Sequence, residues 1–321
     1  MRVIVFLFCV MLGGPVFAEQ TQSFSSWLDD FRHEALEKGI SQDVLADAFS
    51  GIEEPSDDII EHDQTQPEKT KSFLEYLSGF RTEKKIAAAQ EHWQAHKALF
   101  ARLKKTYGVP VPILLALWGV ESNFGERQGS YSIIESLTTL AYDGRRSQFF
   151  RKELLDALTI LQQEHKPAEE LTGSWAGAMG QIQFMPSSFL AFAVDFDGDG
   201  KKDIWNSDDD ALASMANYLH QKGWDAGSGW GVEVQLPDSD NEDWDAIRDA
   251  KSLREWRKLG VRAMDGKSLP ATVQTARLVL PDNDPEVAYL VFSNYDAIMD
   301  WNHSTYFATS VGLLADAIGN Q

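Results

Sequence analysis

A chain of 321 residues with 43% apolar content can bury a sizeable core in one large domain or two, and is too apolar to be disordered. Its formal net charge of −20 sets it against nucleic acid and anionic lipid surfaces as partners. A single cysteine, Cys9, excludes a disulfide framework.

Residues 1–18 carry Arg2, an apolar run over 3–12, and small residues Val16 and Ala18 before Glu19. This pattern predicts a cleaved secretory signal, too short to span a bilayer, and so a bacterial periplasmic or extracellular chain. Phe8 stands before Cys9 where lipid attachment needs a small residue, so no lipid anchor is expected. No later stretch approaches twenty apolar residues, so no membrane span is expected either, and a monomer is. Past the leader, Phe24, Trp27, Leu28, Phe31, Leu36 and Ile40 recur at helical spacing, with Gly39 as a stop. Residues 41–49 predict a second helix capped by Ser41, and the acidic stretch 53–70, with Pro55 and Pro67, predicts a surface loop. Helical periodicity resumes over 70–80 and 82–107. His92 and His96 stand four apart on the latter, a spacing able to hold a metal. Trp93, however, takes the place of a zinc protease's glutamate, and no metal is expected there.

The next stretch, VPVPILLALWGVESNFG over 109–125, organises the chain. Pro110 and Pro112 suit a first helical turn, and the run from Ile113 to Val120 leaves no polar face, so this helix is expected to be sheathed in protein. Its first ionisable group is Glu121, followed by a stop at Ser122, Asn123 and Gly125. Apolar surroundings and the negative helix end both favour a neutral carboxyl, the state needed to donate a proton near neutral pH. Helices follow over 132–142 and 147–165, joined by a turn holding Arg145 and Arg146. That pair could hold an anionic group, though on spacing alone balancing neighbouring carboxylates is favoured.

The passage GSWAGAMGQIQFMPSSF over 173–189 lets backbones approach closely and sets Gln181 and Gln183 among apolar residues, which suits a packing corner or a ligand cleft equally. Then comes DFDGDGKKD over 195–203, with oxygen ligands at alternate positions and Gly200 at the sixth, as a calcium loop requires. Asn206 stands at the twelfth position, so a closing carboxylate falls to Asp208, Asp209 or Asp210, ahead of a helix over 211–222. Residues 229–292 are β-branched and turn-rich and predict a small sheet with a short helix over 253–259. The chain closes with a short segment over 295–299, the aromatic WNHSTYF over 301–307 and a helix over 308–318.

With ESNFG, GAMGQIQFMPSS, DFDGDGKKDIW, ALASMANYL and WNHSTYF in this order, the chain resembles the MltB-type lytic murein transglycosylases over essentially all of its mature length. The resemblance implies a mainly α (α+β) fold: a lysozyme-like helical core with an extra helical region and a small β-containing part. The divisions expected are 19–106, 107–228 with the calcium loop, 229–292 and 293–321. It also implies the reaction: cleavage of the MurNAc-β-1,4-GlcNAc bond of peptidoglycan glycan strands without water, leaving a 1,6-anhydro-MurNAc end. Glu121 matches the single catalytic acid/base, and Ser174, Gln183, Tyr76, Tyr218 and Asn302 match sugar-binding positions. Arg145 and Arg146 match a pair near the site that can meet a stem-peptide carboxylate. Asp195, Asp197, Asp199, the backbone of Lys201 and Asp210 match the ligands of one structural Ca2+, with Asp209 competing with Asp210; no cofactor is implied for the chemistry. Apolar Ile182, Phe184 and Met185 are expected to exclude water from the cleft. Trp301 and Phe307 depart from the tyrosines of some members, keeping an aromatic face while losing a hydroxyl. The rival readings are a hydrolytic muramidase and a non-catalytic, calcium-dependent wall-binding protein.

Overall fold

The computed structural model describes residues 22–320 apart from 66–70, 144–145, 238–243, 245–246, 248, 271 and 273. The N-terminal helices are α1 (Phe24–Glu37), α2 (Gln42–Ala48), α3 (Asp57–Gln64) and α4 (Phe73–Phe80). Ser23, Ser41 and Ser72 each accept an amide from the turn that follows, and Ser72 with Glu75 completes a capping box. Helix α3 interrupts the stretch expected to be a loop: Asp57 and Asp58 sit where the helix dipole favours negative charge, and Ile59 is buried.

The helix expected over 82–107 is two, α5 (Glu83–Ala95) and α6 (Lys97–Tyr107), broken at His96. The helices α7 (Val111–Ser122), α8 (Ile133–Tyr142), α9 (Ser147–Gln163), α10 (Pro186–Phe192) and α11 (Asp208–Gln221) follow. The break redirects the chain, so that α5 packs on α7 and α6 on α11. Between α7 and α10 lies a two-stranded ribbon, β1 (Tyr131–Ser132) against β2 (Thr172–Gly173).

The remaining elements are β3 (Gly231–Gln235), β4 (Lys251–Ser252), α12 (Leu253–Lys258), β5 (Arg262–Ala263), β6 (Thr275–Val279), β7 (Ala288–Val291), α13 (Ser293–Trp301) and α14 (Thr305–Gly319). The last helix starts earlier than expected because Ser304 caps it. The antiparallel sheet runs β4-β6-β7-β3-β5, with Leu278 opposite Leu290 and Val234 opposite Ala288. All four residues of β7 are buried, as a central strand requires. Val234, Trp256, Leu278 and Leu290 form a small core of their own, apart from the large helical core.

Helix α7 is the hub of that large core, packed against α5, α11 and α14. Leu114, Leu115 and Leu117 are fully buried and Trp118 is 1% exposed, each such side chain contributing about 2 kcal/mol when withdrawn from water. The apolar run over 113–120 is therefore enclosed along its length except at Val120, which is partly exposed. No helix among the described residues is long and apolar enough to cross a membrane.

Candidate active site

The hub helix ends abruptly. Asn123 and Phe124 both adopt left-handed backbone, φ +53° and +61°, and both of their amides fold back onto the carbonyl of Trp118. Phe124 is a costly residue in that region, and the turn is kept because its ring packs over Gly119, where any Cβ would lie 2.8 Å from the ring. The ammonium of Lys85, on α5, donates to the Gly119 carbonyl at 2.5 Å, satisfying one of the acceptors a helix end leaves open.

Glu121 occupies the last turn of α7 and is half-buried. Burial pushes its carboxyl up from 4.5 to about 7, and a hydrogen bond from Trp301 Nε1 to its Oε1, 2.7 Å long, opposes the rise without cancelling it. Glu126, the nearest acid along the chain, is turned toward the Asn123 side-chain amide. Tyr76, on α4, lies close enough for the charge of Glu121 to add to burial in raising its phenol.

Trp301 is itself held in an aromatic cluster, its ring 4.9 Å from Tyr218 and 5.2 Å from Phe184. Phe184 is nearly buried, and Tyr218 is 6% exposed with its hydroxyl donated to the Asp300 carbonyl at 2.7 Å. Burial pushes that phenol up to about 12, so both its ring and its proton are committed to the wall. Asn302 follows at the exposed end of α13.

The glycine-rich passage forms a tight loop behind this cluster. Gly173 has no room for a side chain, since a Cβ would meet the Ala178 carbonyl at 2.0 Å. Ser174 closes the loop, its amide donating to Ala178 O and its Oγ accepting from Ala178 N. Gln183, at φ +51°, gives its amide to the carbonyls of Gln128 and Gly180. Ile182 is fully buried in the core and does not line a cleft, whereas Met185 is half-buried. Gln181 proves structural in its contacts: its Oε1 accepts from Trp118 Nε1 at 3.0 Å and its amide donates to Asp208 at 3.0 Å.

Arg146, also left-handed at φ +56°, pairs with the buried Asp63 of α3 at 3.4 Å and covers the Phe150 ring. Arg145 lies outside the described residues. Beside Ser174, Trp175 stacks on His62 of α3, whose Nε2 meets the Tyr131 hydroxyl at 3.0 Å. Nothing in the spacing of the sequence joins those three residues, because α3 was not legible as a helix.

Asp195, Asp197 and Asp210 bring carboxylate oxygens within 4.8 Å of one another, the arrangement of a site for a hard cation. Asp210 is fully buried and accepts amides from Phe196, Asp197 and Asp203. Asp209 is turned away, onto Arg102 at 3.3 Å. Asp199 is exposed, lies outside that trio and accepts the Lys201 amide. His92 lies between the Trp118 and Phe124 rings, at 4.8 and 4.9 Å, and His96 faces Asp208 at 3.5 Å.

A carboxyl kept protonated to about neutral pH at the end of a buried helix, walled by aromatic rings on a helical body, defines an enzyme of the lysozyme-like class. The transglycosylase SLT domain family matches residues 23–316. The chain is 32% identical over 251 residues, 77% of its own length and 67% of the relative's, to membrane-bound lytic murein transglycosylase B of Escherichia coli. It superposes with a TM-score of 0.87 on SltB3 of Pseudomonas aeruginosa in complex with NAG-anhNAM-pentapeptide, at 43% identity over 93% of this chain and 80% of that one. The Escherichia coli lytic transglycosylase Slt35 in complex with calcium matches with a TM-score of 0.77 and 28% identity, over 91% of this chain and 92% of that one. The chain belongs to the transglycosylase SLT domain family, as a lytic murein transglycosylase.

Proposed function

We propose that this enzyme cleaves the MurNAc-β-1,4-GlcNAc bond of peptidoglycan glycan strands with Glu121 as its single acid/base, leaving a 1,6-anhydro-MurNAc end. The observation that carries the reading is a lone half-buried carboxyl near pKa 7, with Glu126 turned away to Asn123. Ordinary glycosidases place two carboxyls across the scissile bond, one as acid and one as nucleophile or base. Here one suffices if the sugar supplies the rest. Glu121 gives its proton to the glycosidic oxygen, the C1–O bond breaks, and the N-acetyl carbonyl of MurNAc supports the charge at C1. The carboxylate then takes the proton of the C6 hydroxyl as that oxygen bonds to C1, which restores the acid. An attacking group within the same sugar has a large proximity advantage over bulk water. The SltB3 complex, whose ligand carries an anhNAM unit, supports this choice of product.

Ser174, Gln183, Tyr76 and Asn302 are read as sugar contacts, with Phe184, Tyr218 and Trp301 as the aromatic wall, and Arg145 and Arg146 as partners for a stem-peptide carboxylate. Asp195, Asp197 and Asp210, with Asp199 and the Lys201 carbonyl, would hold one Ca2+. That ion would tie the loop to the start of α11 and supply no chemistry at Glu121. Secretion through the signal at 1–18 to the periplasm, and action there as a monomer, complete the reading.

Digestion of purified sacculi followed by mass spectrometry tests it. The native enzyme is expected to release anhydro ends and Glu121→Gln none; reducing ends would mean a hydrolytic muramidase. Unchanged activity in the variant would remove Glu121 from the chemistry.

A further inference from the structure

Resting on the reading of Glu121 as the acid/base, we infer that Trp301 is a positioning residue that assigns the two oxygens of that carboxyl. The indole N–H holds Oε1, leaving Oε2 as the oxygen that carries, gives and recovers the proton.

The geometry is specific. Trp301 Nε1 lies 2.7 Å from Glu121 Oε1 across 180 residues of chain, and the indole is clamped between Phe184 and Tyr218, so the donor cannot swing away. An indole nitrogen donates and never accepts. A proton on Oε1 would face another proton, so in the neutral acid Oε1 is the carbonyl oxygen and Oε2 the hydroxyl. In the carboxylate the same bond becomes charge-assisted and stronger. Trp301 therefore favours the form Glu121 takes after the first transfer, and restrains the rise that burial causes. A tyrosine could offer the same donor but could also accept, leaving both oxygens open to the proton.

The groups that face Glu121 from the surrounding elements leave this titration to itself. Tyr76 on α4 and Tyr218 on α11 are pushed up by burial and stay neutral near pH 7. On α13 the carboxylate of Asp300 pairs with Lys222 at 3.3 Å. Glu126 and Arg127 lie beyond the stop of α7. On α5, Lys85 is held on the Gly119 carbonyl, and burial, with His96 beside it, pushes His92 below its ordinary 6.5.

The test is the pH profile of kcat/KM. Activity needs the neutral acid, so the native enzyme loses rate as pH rises through about 7. Trp301→Phe is expected to move that alkaline limb up by about one pH unit, because the lost donor had favoured the carboxylate. Trp301→Tyr, which keeps a donor, is expected to hold the limb near its native position. Should Trp301→Phe fold poorly, a benzothiophene analogue of tryptophan at 301 removes the N–H with the shape intact, and the same upward shift is expected. A limb that stays in place, or a uniform loss of rate at every pH, overturns the assignment. Glu121→Gln run alongside separates the two failures: if it remains active, the reading of Glu121 is at fault, and if it is inactive while the limb does not move, only the role of Trp301 is.

Discussion

Two carboxyls in this molecule are withdrawn from water, and their hydrogen-bond partners differ. Among the described residues Glu121 has one donor aimed at it, the Trp301 indole, and its pKa climbs to about 7. The Asp210 side chain is also buried and its pKa is also raised by burial, but three backbone amides point at it and each offsets part of the rise. Desolvation thus raises both carboxyls; the one met by a single donor is placed to give a proton, and the one with three amides aimed at it serves as the anchor of its loop.

The sharpest way to break this contrast is at the donor. Glu121→Gln is expected to cut turnover about 1,000-fold, in the range for a lost general acid/base, with the fold retained in circular dichroism. At the anchor, chelation is expected to lower the melting temperature by several degrees while initial rates at low temperature hold. A metal present at about 100 times its dissociation constant adds about 3 kcal/mol. Equal loss of melting temperature and rate would contradict a purely structural ion.

The proton on Glu121 also has a stability signature. Its folded-state pKa is raised, so the neutral form is favoured by folding; the cost is absent below pH 4.5 and grows until the group is ionised above about 7. A displacement of that size corresponds to about 3 kcal/mol. Glu121→Gln, which cannot ionise, should therefore gain stability over the native chain between pH 5 and pH 8 in urea titrations. A difference that stays flat with pH would remove the burial penalty from the account.

A smaller effect is expected for Gln181→Met, about 2 kcal/mol in the same titrations, since it strands the Trp118 indole and an oxygen of Asp208. The smallest belongs to Asp209→Asn, which breaks only the pair with Arg102 and should cost less than about 1 kcal/mol. Calorimetry should find calcium affinity almost unchanged in that variant and much reduced in Asp210→Asn, because of the two only Asp210 brings a carboxylate oxygen within 4.8 Å of those of Asp195 and Asp197.

Much of this was legible in local pattern. The all-apolar run of α7 announced a buried helix, the left-handed stop fell at Asn123 as the residue types indicated, and the alternating aspartates marked the loop that α11 closes. Legibility failed where tertiary contacts decide. Helix α3 hides in a polar stretch because only Ile59 and Asp63 face inward, and the break at His96 reflects the two different partners of α5 and α6. Ile182 reads as a cleft residue among its neighbours but is drawn into the core. The bond from Trp301 to Glu121, which opposes the rise that burial causes, joins residues 180 apart, and no spacing rule connects them.

Burial, opposed by the Trp301 donor alone among the described residues, keeps a proton on Glu121 to near neutral pH. Infrared difference spectroscopy of the native enzyme against Glu121→Gln, following the carboxylic acid C=O stretch through a pH titration, measures it directly. A band that belongs to Glu121 is expected to disappear with a midpoint near pH 7; a midpoint near 4.5 would mean an ordinary solvated carboxyl and no proton held by burial.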